Sequence, residues 1–286
     1  MLVNGEPNQH ISIFDRGLAY GDGFFETIYC CNEAMQNWLY HWQRMRESAE
    51  RLNILLPDES TFLVDLEKIK STFSTPRFEW VIKIVVTRGV GGRGYSPNKC
   101  ETPTRIMYVG DMPPYEALRR RGMRVSLLKY ELQTEPMTAG LKHLNRLPQV
   151  LAKTELDGTG CDEGIVLNSK GFVREGVSSN IFMIKNDRLL TAPLYDCGVA
   201  GVLRRKLIDV SSDICGLSVE QVDFTFGDIM SAEEVFFANS LLGVCPVKEI
   251  GNTPFKIGET TRRLMEACLQ ADTSQVNESK IKEISG

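Results

Sequence analysis

The chain has 286 residues, 42% of them hydrophobic, which is enough for one large core or two ordinary ones, and the length favours two domains. Its 33 Lys and Arg against 37 Asp and Glu leave a net charge of −4, which excludes general electrostatic attraction to nucleic acid or to an anionic membrane surface. Any anion it binds must be held locally, by a globular and not a disordered chain.

The opening MLVNGEPNQHISIFDRG lacks the basic start and apolar run of a secretory signal, and no apolar stretch approaches the ~18 residues that span a bilayer. The expectation is a cytoplasmic protein without a membrane or nucleic-acid partner. The eight cysteines, at 30, 31, 100, 161, 197, 215, 245 and 268, form no CxxC pair and have no His nearby in ligand-like spacing. Buried thiols are therefore expected, with neither a metal site nor a disulfide framework.

FFETIYCCNEAMQNW reads as a hairpin about the turn CNEA. LYHWQRMRESAERLNI then places Leu39, Trp42, Met45, Ala49 and Leu52 at spacings of three and four, an amphipathic helix whose stripe leaves out Arg44 and Arg46. FEWVIKIVVTRG (78–89) and TRIMYVGD (104–111) are strands joined by GVGGRGYSPNKCETP. Its glycines invite a phosphate-loop reading, but that motif needs a helix after the strand, and here strands flank both sides. The segment is a long glycine-rich hairpin loop carrying Arg93 and Tyr95, and loops of that length in compact domains are often functional.

DMPPYEALRRRG (111–122) has adjacent prolines and a charge run, which places the domain link there: an N-terminal domain over 1–115, a linker over 116–122 and a second domain over 123–286. MRVSLLKYEL is a strand, and a helix spans roughly 146–157 with Asn145 as candidate N-cap and Pro148 in its first turn. DEGIVLN, the turn NSKG and FVREGVSSNIFMI make a hairpin, and KNDR turns into the strand LLTAP. The tail from about Ala271 is polar and expected to fray.

Four pieces could carry chemistry. Lys142 sits in AGLKHLNRLPQV between Leu141 and Leu144, where a lysine ordinarily only snorkels from an apolar edge. Glu175, at a strand end beside Arg174 and followed by Ser178, Ser179 and Asn180, reads as a surface ion pair or as a carboxylate beside a ring nitrogen. In LLTAPLYDCGVAGVLRRKLIDV a strand, a loop with Gly198 and Gly201 and a helix from Val202 have the order of a backbone anion cradle. In FFANSLLGVCPV, Asn239 and Ser240 either bond phosphate oxygens or close their own turn. A Schiff-base lysine, a carboxylate for a pyridinium, an anion cradle and an arginine are together what pyridoxal 5′-phosphate (PLP) requires.

In the order FDRGLAYGDGFFETI, HWQRM, TRGVGGRGY, AGLKHLNRLPQVLA, DEGIVLNSKGFVREGVSSNIF, CGVAGVLRR and FFANSLLGVCPV, the chain resembles the fold-type IV PLP enzymes, the class of branched-chain and D-amino acid aminotransferases. The likeness runs to about residue 270, and GLKHLNRL with GGRGY points to the lyase branch of the class, which converts 4-amino-4-deoxychorismate to 4-aminobenzoate and pyruvate in folate biosynthesis. The resemblance implies an α/β (α+β) fold of two domains with the cofactor in the cleft between them, and a homodimer. It implies Lys142 as the Schiff-base lysine and catalytic base, Glu175 at the pyridinium nitrogen and Arg44 on the phosphate. It further implies that Gly201, Val202 and Leu203 hold the phosphate with the turn of Asn239, Ser240 and Leu241 and that Asn180 and Asn145 lie near the ring, and on it Arg93 and Tyr95 are the candidates to meet the substrate. A D-amino acid or branched-chain aminotransferase is the alternative; branched-chain enzymes usually carry a tyrosine five residues after the lysine, where this chain has Leu147.

Overall fold

Every second residue is apolar over much of 23–31 and 79–87, so each segment can bury one side against a core and leave the other half open. The computed structural model describes residues 1–31, 34–75, 77–98, 100 and 102–269. The chain divides into two compact units, and the first takes Met1–Met112 together with Lys142–Asn145. Its elements are β1 (Leu2–Val3), β2 (Glu6–Pro7), α1 (Arg16–Tyr20), β3 (Gly23–Cys31), β4 (Ala34–Met35), α2 (Trp38–Leu52), α3 (Glu59–Lys70), β5 (Glu79–Thr87) and β6 (Thr104–Gly110). The strands form an antiparallel sheet in the order β2-β1-β6-β5-β3-β4.

β3 and β5 pair from Gly23 opposite Thr87 to Cys31 opposite Glu79. Phe24, Ile28, Cys30, Ile82, Ile84 and Val86 share the buried phase and pack with Met45 and Ala49 of α2 and Phe62, Leu66 and Ile69 of α3. Phe25, Thr27 and Tyr29 take the other phase and stay half-buried. The buried face of α2 is Trp38, His41, Arg44, Met45, Ser48 and Ala49, while Leu39 is 58% exposed, so the stripe is rotated from the apolar spacing. Polar partners on β3 account for the rotation, as described below. The helix α3 has no counterpart in the sequence reading, although Phe62, Leu66 and Ile69 recur at helical spacing.

The second unit takes Pro113–Leu141 and Arg146–Gln270. It contains α4 (Glu116–Arg121), β7 (Met123–Leu132), α5 (Leu147–Asp157), β8 (Glu163–Asn168), β9 (Val173–Gly176), β10 (Asn180–Lys185), β11 (Arg188–Thr191), α6 (Val202–Cys215), β12 (Val219–Gln221), α7 (Phe226–Met230), β13 (Glu234–Asn239), β14 (Gly243–Ile250), β15 (Thr253–Pro254) and α8 (Glu259–Leu269). A mixed sheet runs β12-β11-β10-β13-β14-β7-β8-β9, with β15 on β14. Three apolar clusters fill this unit, and one of them lies between α6, α8 and the stacked rings of Phe182 and Phe236.

Residues 116–121, read as linker, form α4 because Leu118 and Tyr115 pack on a core cluster and Arg119 donates to the Leu242 carbonyl at 3.1 Å. Asn145 does not cap α5: Arg146 holds the N-cap position, with no side-chain bond, and Pro148 lies in the first turn as expected. The polar tail lies outside the described residues. No described helix is long and apolar enough to cross a membrane.

Phe24 is 1% exposed. Phe24→Ala should cost about 3–5 kcal/mol of stability through lost burial and a residual cavity, read as a lower urea midpoint with an unchanged slope.

Candidate active site

β3 has an edge left open at its start, and the segment around Lys142 fills it. The Phe25 N–H donates to the Lys142 carbonyl at 3.0 Å, the Leu144 N–H donates to the Gly23 carbonyl at 2.9 Å, and Phe24 and His143 form an antiparallel bridge. The Asn145 amide donates to the Gly21 carbonyl at 3.0 Å, which is why it is not available to cap α5. Lys142 is thus held by its own backbone, with Nζ 4.3 Å from the centroid of the Phe25 ring. Lys83 stands 4.8 Å from the same ring, and a ring face near a cation is electrostatically favourable.

On the buried side of the same strand lies Glu26, 1% exposed. Arg44 meets it along one edge of the guanidinium, Nε to Oε1 at 2.7 Å and Nη2 to Oε2 at 2.5 Å, and His41 Nδ1 lies 2.6 Å from Oε2. Burial alone would push the Glu26 carboxyl up, but the charges of Arg44 and His41 and their hydrogen bonds hold it at about 2. Burial, with Arg44 and Lys142 nearby, keeps His41 below its ordinary value despite Glu26. Arg44 therefore faces inward, 5% exposed, contrary to the stripe read from apolar spacing. Arg93 and Tyr95 are exposed on the loop between β5 and β6, and the Tyr95 ring lies 5.5 Å from that of Tyr20.

In the second unit Glu175, at the end of β9 and 5% exposed, accepts from the Val199 N–H at 2.8 Å through Oε2. The Val199 carbonyl accepts from the Asn180 amide at 2.9 Å, so one loop residue ties both predicted side chains. Two glycines make this approach possible. Gly198 has φ +89°, and a Cβ there would lie 3.2 Å from Glu175 Oε2; a Cβ on Gly201 would fall 2.0 Å from Asn180 Oδ1. Gly201 also sits at the N-cap of α6 with no side-chain bond, so no side chain of its own answers the N–H groups of the first turn, which includes Val202 and Leu203.

Within that turn Arg204 is buried, with Nη2 on the Ala192 carbonyl and Gln221 and with Nε lacking any hydrogen-bond partner. Burial, with Arg205 close by, lowers Arg204 to about 10 in spite of Glu175. Arg146 Nε is likewise buried without a partner. Orphaned cationic donors and open helix-start N–H groups are what a phosphate-bearing ligand would satisfy, so the donors of this unit fit PLP. The Asn239 turn reads differently: Asn239 Oδ1 accepts from the Leu241 and Leu242 N–H groups at 3.0 and 2.7 Å, and its amide donates to the Ser178 carbonyl, so this side chain closes its own turn beside Ser240. No described cluster of His, Cys, Asp and Glu is suited to a metal.

The structure thus joins Glu175, Asn180 and Gly201 through one loop, and joins Lys142 to β3. Sequence reasoning missed Glu26, His41, Lys83, Arg146 and Arg204. For Glu26 a signal existed: it is in phase with Phe24 and Ile28, so a carboxylate on the apolar face of a strand announced a buried partner.

The amino-transferase class IV family matches residues 23–250. The chain is 39% identical over 268 residues to an aminodeoxychorismate lyase from Vibrio harveyi, covering 92% of this chain and 97% of that protein. A crystal structure of 4-amino-4-deoxychorismate lyase from Pseudomonas aeruginosa, 36% identical, superposes with a TM-score of 0.87 over 93% of this chain and 97% of that one. A hypothetical aminotransferase from Mycobacterium tuberculosis solved in a PLP-bound form is 18% identical with a TM-score of 0.77, covering 92% and 94% of the two chains, and bears on fold alone.

Glu26, ordinarily near 4.5 and held at about 2, contributes stability that is complete above about pH 4.5 and is lost as pH falls toward 2, on the order of 3 kcal/mol in all. Glu26→Gln should remove that dependence between pH 4.5 and 2, and should cost about 3–5 kcal/mol at pH 7 by leaving Arg44 uncompensated; urea melts across the pH range measure both.

Proposed function

This chain belongs to the amino-transferase class IV family, and on that footing we propose that it is a PLP-dependent lyase that converts 4-amino-4-deoxychorismate to 4-aminobenzoate and pyruvate. The observation that carries this reading is the 39% identity to a lyase along 97% of that protein's length. The fold admits an aminotransferase of D- or branched-chain amino acids as the alternative, and the test below separates the two.

PLP, when bound, supplies a pyridinium that takes up the charge left when a proton leaves an amine-bearing carbon. The residues of this chain supply the rest. Lys142 would hold the cofactor through Nζ and would be the base that takes the proton from the amine-bearing ring carbon. Its backbone bonds to β3 support that role, because the amine is carried by a segment that cannot shift without breaking them. Glu175, fixed by the Val199 N–H, would keep the ring nitrogen protonated. The N–H groups of Val202 and Leu203, with Gly201 allowing close approach, would hold the phosphate, helped by Arg44 and by Ser240, since Asn239 is taken up in closing its own turn on Leu241 and Leu242. Asn180, tied to the Val199 carbonyl, and Asn145, tied to the Gly21 carbonyl, would line the ring. Arg93 pairs with a substrate carboxylate, for which a guanidinium fork is well shaped, and Tyr95 lines the same place. Departure of the enolpyruvyl side chain as pyruvate leaves an aromatic product.

The protein works as a homodimer in the reducing cytoplasm, where its cysteines, free in the structure, stay thiols. Ile13, Phe14 and Leu18, all exposed around α1, support self-association of the first unit.

Purified protein given enzymatically generated 4-amino-4-deoxychorismate should release 4-aminobenzoate and pyruvate in equal amounts, while D-alanine with 2-oxoglutarate should give little transfer. Turnover confined to the second assay would replace the lyase by an aminotransferase. Lys142→Ala should lose the visible absorbance of the bound cofactor and at least 10³-fold of the activity, roughly the loss expected for removal of a covalent catalyst. Phe14→Asp with Leu18→Asp should sediment as a monomer; an unchanged mass would remove the homodimer through this surface.

A further inference from the structure

The segment FDRGLAYGDG is given no role by the function above, yet its arginine is buried where a surface loop would otherwise be free. Arg16, in α1, is 4% exposed. Its Nη1 donates to the Gly94 and Ser96 carbonyls at 3.0 and 3.4 Å, and Nη2 donates to the Tyr95 carbonyl at 2.9 Å. Three successive carbonyls of the glycine-rich loop are thereby gathered on one guanidinium, whose fixed fork a lysine cannot imitate. The ring of Tyr20 lies 4.8 Å from the Arg16 guanidinium carbon, and Tyr20 also meets Tyr95.

The other end of Arg16 is equally fixed. Nε donates to Asp22 at 2.8 Å, Asp22 accepts from Arg88 at 2.7 and 3.0 Å, and Arg88 donates to the carbonyls of Leu52 and Asn53 at the end of α2. Asp15 caps α1 through the Gly17 N–H and accepts from Thr87 Oγ1, which in turn accepts from the Gly89 N–H. A continuous polar chain therefore runs from the end of α2 to residues 94–96 with Arg16 at its centre. The carbonyls it gathers follow directly on Arg93, so the path of the backbone at the proposed carboxylate contact is set by Arg16.

We propose that Arg16 is a positioning residue for substrate recognition: it clamps residues 94–96 so that the loop presents Arg93 to a carboxylate of the substrate. The inference rests on the reading that this loop receives the substrate, and the clamp itself is measurable without that reading. In the full-length, PLP-loaded protein, Arg16→Ala should raise hydrogen exchange at the amides of 90–98 about tenfold or more, since several charge-assisted hydrogen bonds are lost. KM for 4-amino-4-deoxychorismate should rise about tenfold with kcat and PLP affinity within about threefold, the split expected when a group that orients substrate is loosened. Arg16→Lys should resemble Arg16→Ala, because one ammonium cannot span the three carbonyls.

Should Arg16→Ala not fold, Gly91→Ala carries the test, since a Cβ there would lie 2.7 Å from Arg16 Cδ and from Cys100 Sγ and displace the clamp from the loop side. Unchanged exchange in both Arg16→Lys and Gly91→Ala overturns the clamp. Raised exchange with unchanged KM overturns its role in recognition, and Arg93→Ala then tells why: an unchanged KM there means the substrate does not use this loop, whereas a raised KM means Arg93 acts without help from Arg16.

Discussion

Two backbone hydrogen bonds decide where the reactive amine of this chain can be. The Phe25 N–H to the Lys142 carbonyl and the Leu144 N–H to the Gly23 carbonyl add residues 142–144 to the start of β3, an edge that β4 does not reach. A lysine on a free loop would average over many positions, and ordering it would cost conformational entropy at every turnover. Here the sheet has already met that cost. The apolar neighbours Leu141 and Leu144 then have a plain purpose, since a segment that joins a sheet edge must bury what flanks its polar tip.

The strand that receives Lys142 carries a carboxylate on its other face. Glu26 is buried where a hydrophobe would be cheaper, and it is tolerable only because Arg44 and His41 answer both of its oxygens. That requirement rotates α2, turning His41 and Arg44 inward and Leu39 out. Packing of the first unit and the orientation of Arg44 are therefore one problem, solved together.

The second unit settles its charges by the same rule. Arg174, fully buried, donates to Asp196 through Nε and Nη2 and to Asp223 through Nη1, and Asp196 also accepts from Asn168. Asp196 lies in the same loop, three residues before Val199, so this network fixes the backbone whose N–H holds Glu175. The neighbouring residues Arg174 and Glu175 look like a surface ion pair in the sequence. In the fold they point to different partners, because successive side chains of a strand lie on opposite faces.

Composition, strand alternation and turn chemistry were enough to place most strands, a helix within 39–54, a helix from Val202 to Val210 that the structure extends to Cys215, and the long hairpin loop, because those signals are local. Lys142, Glu175 and the loop before Val202 stood out for the same reason: each is a residue type at odds with its immediate neighbours. The pairing of Glu26 with Arg44, separated by eighteen positions, the use of Asn145 on Gly21 instead of on its own helix, and the grasp of Arg16 on residues nearly eighty positions away were not available from spacing. By itself the sequence determined which segments are strands or helices and which side chains have the chemistry for an anion and a carbonyl. Tertiary structure alone decided which of those groups are buried together and in what charge state, because desolvation and pairing depend on contacts between residues far apart in the chain.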